Sequence, residues 1–386
     1  MDLTNESLIL DTLLHFDVPV IPDGTRFWMI RTQKGYFYNE FLAKSFVALA
    51  WNNIDRTTDF SDESRERLKD DIMINFSEIN RPSTVVNKCI HFISDIKVGD
   101  ILVIPSRGSQ YITFASAGEY FEDTTKTVEL EKTVIERIQN NDVDINDVSC
   151  PYKKRRHITL LRTIKSEDIN YALYRAISNY HGISNFDSYA IQILNHLYNC
   201  YSFKNDIVLV YNIRKNEPIK PRELSSLIYC TTECLSHLIP EENIATQLSL
   251  HSPGDNIYIL KNAIELIHNN WIYFFGLLVA LGGGSVLTFK VPGLVDIIKN
   301  ILNAPAEIKE KKYNAELKKI ELLNKRYELY EKISSSGIDI ATLSGSLENL
   351  YKSASSLEAT PIELQTPEAV MPQDTSDVYE SGDIEE

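Results

Sequence analysis

Between residues 26 and 164 the hydrophobic positions come in short runs separated by turn-forming residues. Residues 26–32 (RFWMIRT), 98–105 (VGDILVIP), 110–119 (QYITFASAGE) and 157–164 (HITLLRTI) are rich in β-branched and aromatic side chains. Runs of that length and type predict strands, and residues 36–51 (YFYNEFLAKSFVALAW) suit one or two more. The charged stretch 62–79 and residues 82–96 predict helices, and 128–139 fits a strand or a helix. Several short strands with turns between them suggest a small barrel. From residue 166 onward the spacing changes to three and four. Residues 166–179 and 184–201 then predict amphipathic helices, the second with Ser184 as N-cap and Asp187 three residues on. A smaller α+β pattern follows: a strand at 206–213, a helix at 221–238, and two strands within 244–260. A further short helix is predicted at 8–16.

The pattern breaks at residues 271–289, WIYFFGLLVALGGGSVLTF, which contain no charge. About 18 consecutive apolar residues is the threshold for a membrane-spanning helix. Trp271 and Tyr273 suit an interfacial belt, and small residues from Gly276 to Gly284 suit close helix contacts. Three adjacent glycines also favour a turn, which leaves a buried hairpin as the other reading. Lys290, Lys299, Lys309, Lys311 and Lys312 follow the run and favour a cytoplasmic side there. The head also reads as cytoplasmic, and one span cannot put both on one side, so re-entrant or surface insertion and a buried helix stay open beside the span and the hairpin. Beyond the run, residues 292–302 predict an amphipathic helix and 305–333 a charged one. In the latter, Tyr313, Leu317, Ile320, Leu323, Tyr327 and Tyr330 form a short heptad seam suited to a coiled coil and self-association. A last helix is expected near 340–356.

Charge changes the picture at the C-terminus. The 386-residue chain has a formal net charge of -15, and residues 354–386 hold nine acids and no Lys or Arg. That end is expected to be disordered. The expected organisation is a ligand-binding head at 1–202, a small α+β unit at 203–262, and a membrane-directed segment with its amphipathic helix at 263–303. A charged helical segment at 304–357 and the acidic tail at 358–386 complete it. The five cysteines form neither a disulfide framework nor a zinc signature. No basic n-region opens the chain, so a cytoplasmic head anchored at an inner membrane is the expected location.

The strands FWMIR, FVALAW, VGDILVIP and ITFASAGEY, with the segment KKRRHITLLRTI, resemble the EVE/PUA-like barrels that lead many bacterial restriction and phage-defence proteins. The resemblance covers roughly the first half of the chain and rests on pattern, not on an invariant motif. It implies an α+β fold with a PUA-like β-barrel and an aromatic-lined pocket that reads a nucleotide or modified base. A base has two π faces and a polar edge, so a reader needs aromatic plates and fixed donors. Trp28, Tyr36, Tyr38 and Trp51 are candidate plates. Arg31, Ser106, Arg107 and Ser109 are candidates for edge or phosphate contacts. The cluster Lys153, Lys154, Arg155 and Arg156 is a candidate for phosphate or nucleic-acid contact, or else a solvated loop.

Catalytic motifs are absent from the sequence. It has no Walker loop, GxGxxG, HExxH or GxSxG, and the eight histidines are scattered. No cofactor or metal is expected. The leading expectation is a bacterial, membrane-associated, homo-oligomeric sensor–effector of antiviral defence. In it the head binds a nucleotide or base and the apolar segment acts at the membrane. The alternative is a soluble, noncatalytic nucleic-acid-binding adaptor with the apolar run in its core.

Overall fold

A computed structural model describes residues 18–77, 79–140, 148–179, 182–213, 215, 217–248, 254–263, 285–286, 289–290 and 340–360, with a few positions of 324–331. The expected helices at 8–16 and 292–302 lie outside the described residues. So do nearly all of the heptad segment, residues 271–284 of the apolar run, and the acidic end beyond 360.

The chain is α+β and divides into two compact units, residues 24–197 with 365–386, and residues 1–23 with 198–364. The strand β1 (Val20–Ile21) belongs to the second. In the first, six strands form a mixed sheet in the order β3-β6-β5-β4-β2-β7. They are β2 (Phe27–Arg31), β3 (Phe46–Leu49), β4 (Ile101–Pro105), β5 (Tyr111–Glu122), β6 (Lys154–Lys165) and β7 (Gly182–Asn185). β2 and β4 run parallel and every other neighbour is antiparallel. The two twelve-residue strands β5 and β6 are offset by two irregularities, after Phe114 and after Ala117. Such bulges increase strand twist and bend the sheet. The result is a curled half-barrel, open between β3 and β7. Its helices are α1 (Tyr38–Ala43), α2 (Asp62–Asn75), α3 (Pro82–Ile90), α4 (Val128–Gln139), α5 (Tyr171–Asn179) and α6 (Ala190–Leu197).

Two local expectations are corrected. Residues 36–51 contain a helix before their strand, because the aromatic positions Phe37, Tyr38 and Phe41 share one helical face and all three are buried in the core. Residues 184–201 are not one helix. β7 takes Ser184 into the sheet, a short turn follows at Asp187–Tyr189, and α6 ends before the strand at Cys200. Asp187 acts instead by accepting the backbone N–H of Phe27 at 2.8 Å.

The second unit is assembled from distant pieces of chain. β1 lies parallel to β8 (Cys200–Phe203), which pairs with β9 (Asp206–Ile213). The turn between them, Lys204 and Asn205, has two positive φ angles of 51° and 65°, as a tight primed hairpin requires. This hairpin straddles the 202/203 boundary expected from sequence. β10 (Ile244–Leu248) and β11 (Gly254–Leu260) extend the sheet beyond β9. The helix α7 (Pro221–Ser236) packs against α8 (Ile340–Ser356), through Leu227, Cys230 and Cys234 on one side and Leu350, Ala354 and Leu357 at the other. The Ser226 and Ser353 hydroxyls lie 2.8 Å apart. Between β11 and α8 a minimal hairpin pairs β12 (Ser285–Val286) with β13 (Phe289–Lys290), and α8 leads into β14 (Ala359–Thr360), which pairs with Asn212 and Ile213 of β9. Among the described residues no helix is long and apolar enough to cross a membrane. The membrane-spanning part of the expected fold is therefore unsupported.

His196 ends α6 deep in the first unit, stacked on Phe114 and accepting the N–H of Asn170 at its Nε2. Burial, with Arg162 adding to it, lowers its pKa from 6.5 to about 4. The native state thus refuses a proton that the unfolded chain accepts below pH 6.5. Stability is expected to be full above pH 6.5 and to fall by about 3 kcal/mol between pH 6.5 and pH 4. Urea unfolding across that range should show the loss, and His196→Gln should flatten it. Leu350→Ala, in α8, should cost about 2–5 kcal/mol in the same experiment on the second unit.

Candidate functional site

Trp51 has a φ of +68°, a conformation rarely adopted by bulky side chains. The cost of holding it there is met by buried polar groups. The Glu131 carboxylate, 2% exposed, accepts the Trp51 and Asn52 backbone N–H groups, both at 2.7 Å. The Asn52 amide donates to the carbonyls of Thr127 and Pro151 and accepts the N–H of Lys153. Lys154 is fully buried and donates its ammonium to the carbonyls of Trp51 at 2.6 Å and Ile54 at 2.8 Å. Burial lowers the Lys154 pKa, and the Glu131 charge opposes that shift. The turn is gripped from both sides while the indole stays partly exposed. Strain retained under such constraint is a mark of functional positions.

Lys88, on α3, places its ammonium 5.9 Å from the Trp51 ring centroid. Its side chain lies directly against Gly182, where a Cβ would sit 2.7 Å from Nζ. Gly182 has a φ of +76° and is the register partner of Arg31. Arg31 ends β2, half-buried, and its Nη2 donates to the Ser109 hydroxyl while its Nε is buried without a partner. Burial lowers the pKa of both Arg31 and Lys88. Among the described residues neither has a carboxylate within ion-pair distance. Two partly buried cations thus stand beside one glycine, with an aromatic plate next to Lys88.

The parallel pair β2 and β4 delivers the rest. Both strands exit at the same end of the sheet, into Thr32–Gly35 and Arg107–Ser109. These loops carry left-handed backbone at Gln33, Lys34, Gly35, Gly108 and Ser109. They meet so closely at Gly35 that a Cβ there would fall 2.7 Å from the Ser106 carbonyl carbon. Ser106 is buried and its hydroxyl accepts the Tyr111 N–H. The exposed Arg107 guanidinium stands 5.6 Å from the Tyr36 ring centroid.

The fold therefore brings Arg31, Tyr36, Ser106, Arg107 and Ser109 together and sets Trp51 apart on its clamped turn. It takes Trp28 and Tyr38 away. Trp28 is 1% exposed, and its Nε1 donates to Asp100 at 3.1 Å. Asp100 also accepts the backbone N–H groups of Arg26 and Lys97, so this indole secures the start of the β2–β4 pair. Tyr38 is buried with its hydroxyl 2.6 Å from that of Thr113, and burial raises its pKa to about 12.

The basic cluster is also spent within the fold. Lys153 pairs with Asp55 at 2.7 Å and Glu122 at 3.5 Å, and Arg155 with Asp123 at 3.1 Å. The buried Arg156 donates to the carbonyls of Gly118 and Phe92. Four adjacent cations on a strand look like a phosphate surface in sequence, but here they hold loops to the sheet. Lys88 and Gly182 were not candidates from sequence. A lone Lys on a helix and a lone Gly carry no signal until the fold sets them beside Arg31.

Comparison of the chain with protein-family models, with curated proteins and with solved structures returns no match.

Trp28→Ala should cost about 3–5 kcal/mol of stability, read by thermal or urea unfolding, because it empties the core and removes the indole donor from Asp100. Glu131→Ala should unfasten the Trp51 turn and leave Lys154 without its nearby charge. A loss of about 3–5 kcal/mol is expected, together with a changed Trp51 emission read against a Trp51→Phe control.

Proposed function

We propose that the head is a noncatalytic binding module for a nucleotide or modified nucleobase, and that its curled sheet is an open variant of a PUA-like barrel. The observation that carries this is the pair Arg31 and Lys88. Desolvating two cations with no carboxylate within ion-pair distance among the described residues costs stability unless an anion completes the site. A phosphate would do so through charge-assisted hydrogen bonds. The Trp51 indole beside Lys88 offers a stacking plate for a base, and the loop of Ser106 and Ser109, both buried, offers the exposed guanidinium of Arg107. The chain's overall acidity suits a small anionic ligand better than a duplex, which demands a broad basic face.

In the wider reading this head belongs to a bacterial membrane-associated sensor–effector with a homo-oligomerising tail, working in antiviral defence. Its support is the sequence resemblance and the charge-free run 271–289. The soluble nucleic-acid-binding adaptor is the second reading, favoured by the extended conformation at the end of that run. An adaptor binding polynucleotide would show a steep salt dependence.

Isothermal titration with nucleoside monophosphates and the matching nucleosides tests the head. Monophosphates are expected to bind at least tenfold more tightly than nucleosides, about 1.4 kcal/mol. Arg31→Ala and Lys88→Ala should each remove most of that difference, and Trp51→Ala should abolish binding in a protein that still unfolds cooperatively. Equal affinity for nucleoside and nucleotide, or binding untouched by Trp51→Ala, would overturn the assignment.

A further inference from the structure

The head pairs an aromatic ring with a cation twice. The Arg107 guanidinium stands 5.6 Å from the ring centroid of Tyr36, as the Lys88 ammonium stands 5.9 Å from that of Trp51. A cation at such a distance is attracted by the ring's quadrupole. Both rings are partly exposed.

A continuous run of contacts joins the two pairs through Arg31. The Lys88 side chain lies against Gly182, and Gly182 faces Arg31 across the β2–β7 pair. The Arg31 Nη2 donates to the hydroxyl of Ser109, two residues beyond Arg107. At Gly35, next to Tyr36, a Cβ would fall 2.8 Å from the Arg107 nitrogen, so the loops of Tyr36 and Arg107 touch. On the other side Thr32, next to Arg31, donates its hydroxyl at 2.6 Å to the carbonyl of Ala48, just ahead of the Trp51 turn. The arrangement thus runs from one ring, Trp51, through Lys88, Arg31 and Arg107 to the other ring, Tyr36.

The Tyr36 end is held under strain, as the Trp51 end is. Gln33, Lys34 and Ser109 have φ angles of 45°, 52° and 58°. Left-handed backbone at residues with a Cβ costs stability, and it persists where the surroundings over-determine it, as at ligand clamps.

A mononucleotide uses half of this arrangement. With its phosphate at Arg31 and Lys88 and its base on Trp51, it leaves Tyr36 and Arg107 beyond the phosphate. A phosphodiester carries a nucleoside on each side of its phosphate. Its order of base, phosphate and base matches the order of ring, cations and ring. We infer that the head takes two nucleosides joined through a phosphodiester, with the phosphate at Arg31, one base on Trp51 and the other on Tyr36. This rests on the nucleotide-binding reading above and sets the size of its ligand. A free dinucleotide and one step of a single strand share this chemistry.

Calorimetric titration of the full chain with ADP and with the 5′-phosphorylated dinucleotide pApA tests it. The two probes carry about the same charge, and pApA has one more base. pApA is expected to bind at least about tenfold more tightly, through one added base–aromatic stack. Tyr36→Ala should bring the ratio of the two affinities close to one, and Tyr36→Phe should keep it. Arg107→Ala, at an exposed side chain, should lower the ratio and decides the matter if Tyr36→Ala does not fold. Equal affinity for ADP and pApA, or a ratio that neither Tyr36→Ala nor Arg107→Ala moves, would overturn the two-base ligand and leave the nucleotide-binding reading standing. Binding of neither probe would overturn both. The tetranucleotide pApApApA separates the sources: affinity equal to that of pApA assigns the free dinucleotide, and a further, steeply salt-dependent gain assigns a single strand.

Discussion

Two buried charges, on Glu131 and Lys154, hold the turn that presents Trp51, and much of the head is organised around them. The carboxylate takes the turn's N–H groups and the ammonium takes its carbonyls. Both groups are nearly inaccessible to water, so each is expensive to bury alone and far less so with the other nearby. Their elements are fixed in consequence. α4 must bring Glu131 to the turn, and β6 must run beside β3 to bring Lys154 beneath it. The Asn52 amide ties the same turn to Thr127 and Pro151, the chain segments that precede those two elements. A strained backbone at one aromatic residue is thereby supported by two elements distant in sequence and the segments that lead into them.

The contrast between the two sets of cations follows from electrostatics. Lys153, Lys154, Arg155 and Arg156 form the densest basic cluster in the chain, and every one donates to carboxylates or carbonyls of the fold, although the Arg156 Nε is itself buried without a partner. Arg31 and Lys88 are far apart in sequence, and burial works against the charge of each. Local density of positive residues is thus a poor guide to anion binding here. What distinguishes the two sets is the absence of a compensating charge within the described fold around Arg31 and Lys88, and that is a property of three-dimensional placement.

The second unit shows how contacts distant in sequence restrict what an intervening segment can do. Its core draws on Val18, on residues 200–263 and on residues 350–357. Closing it joins pieces separated by a long stretch of chain, at an entropic cost that rises only slowly with loop length. Long insertions are therefore tolerated at such a place. The fold thus holds Ala263 and the residues of α8 in one core.

Much of the fold was legible in the chain because periodicity is local. The strands at Phe27–Arg31, Ile101–Pro105 and Asp206–Ile213, and the helices at Asp62–Asn75, Pro82–Ile90 and Ile340–Ser356, follow from hydrophobic spacing and end signals within a few residues of where they were expected. The aromatic stretch 36–51 misled because its buried positions satisfy a helix face and a strand run in turn, and packing decides between them. Of the site, the sequence by itself determined which residues have suitable chemistry: indoles, guanidinium groups and small hydroxyl loops. Only the tertiary structure decided that Trp28 and Tyr38 are core, that the basic cluster is consumed internally, and that Lys88 and Gly182 stand with Arg31. It alone decided that chain segments before and after the apolar run share one core. The physical reason is that burial and charge compensation depend on neighbours brought together by folding, and spacing along the chain carries no record of them.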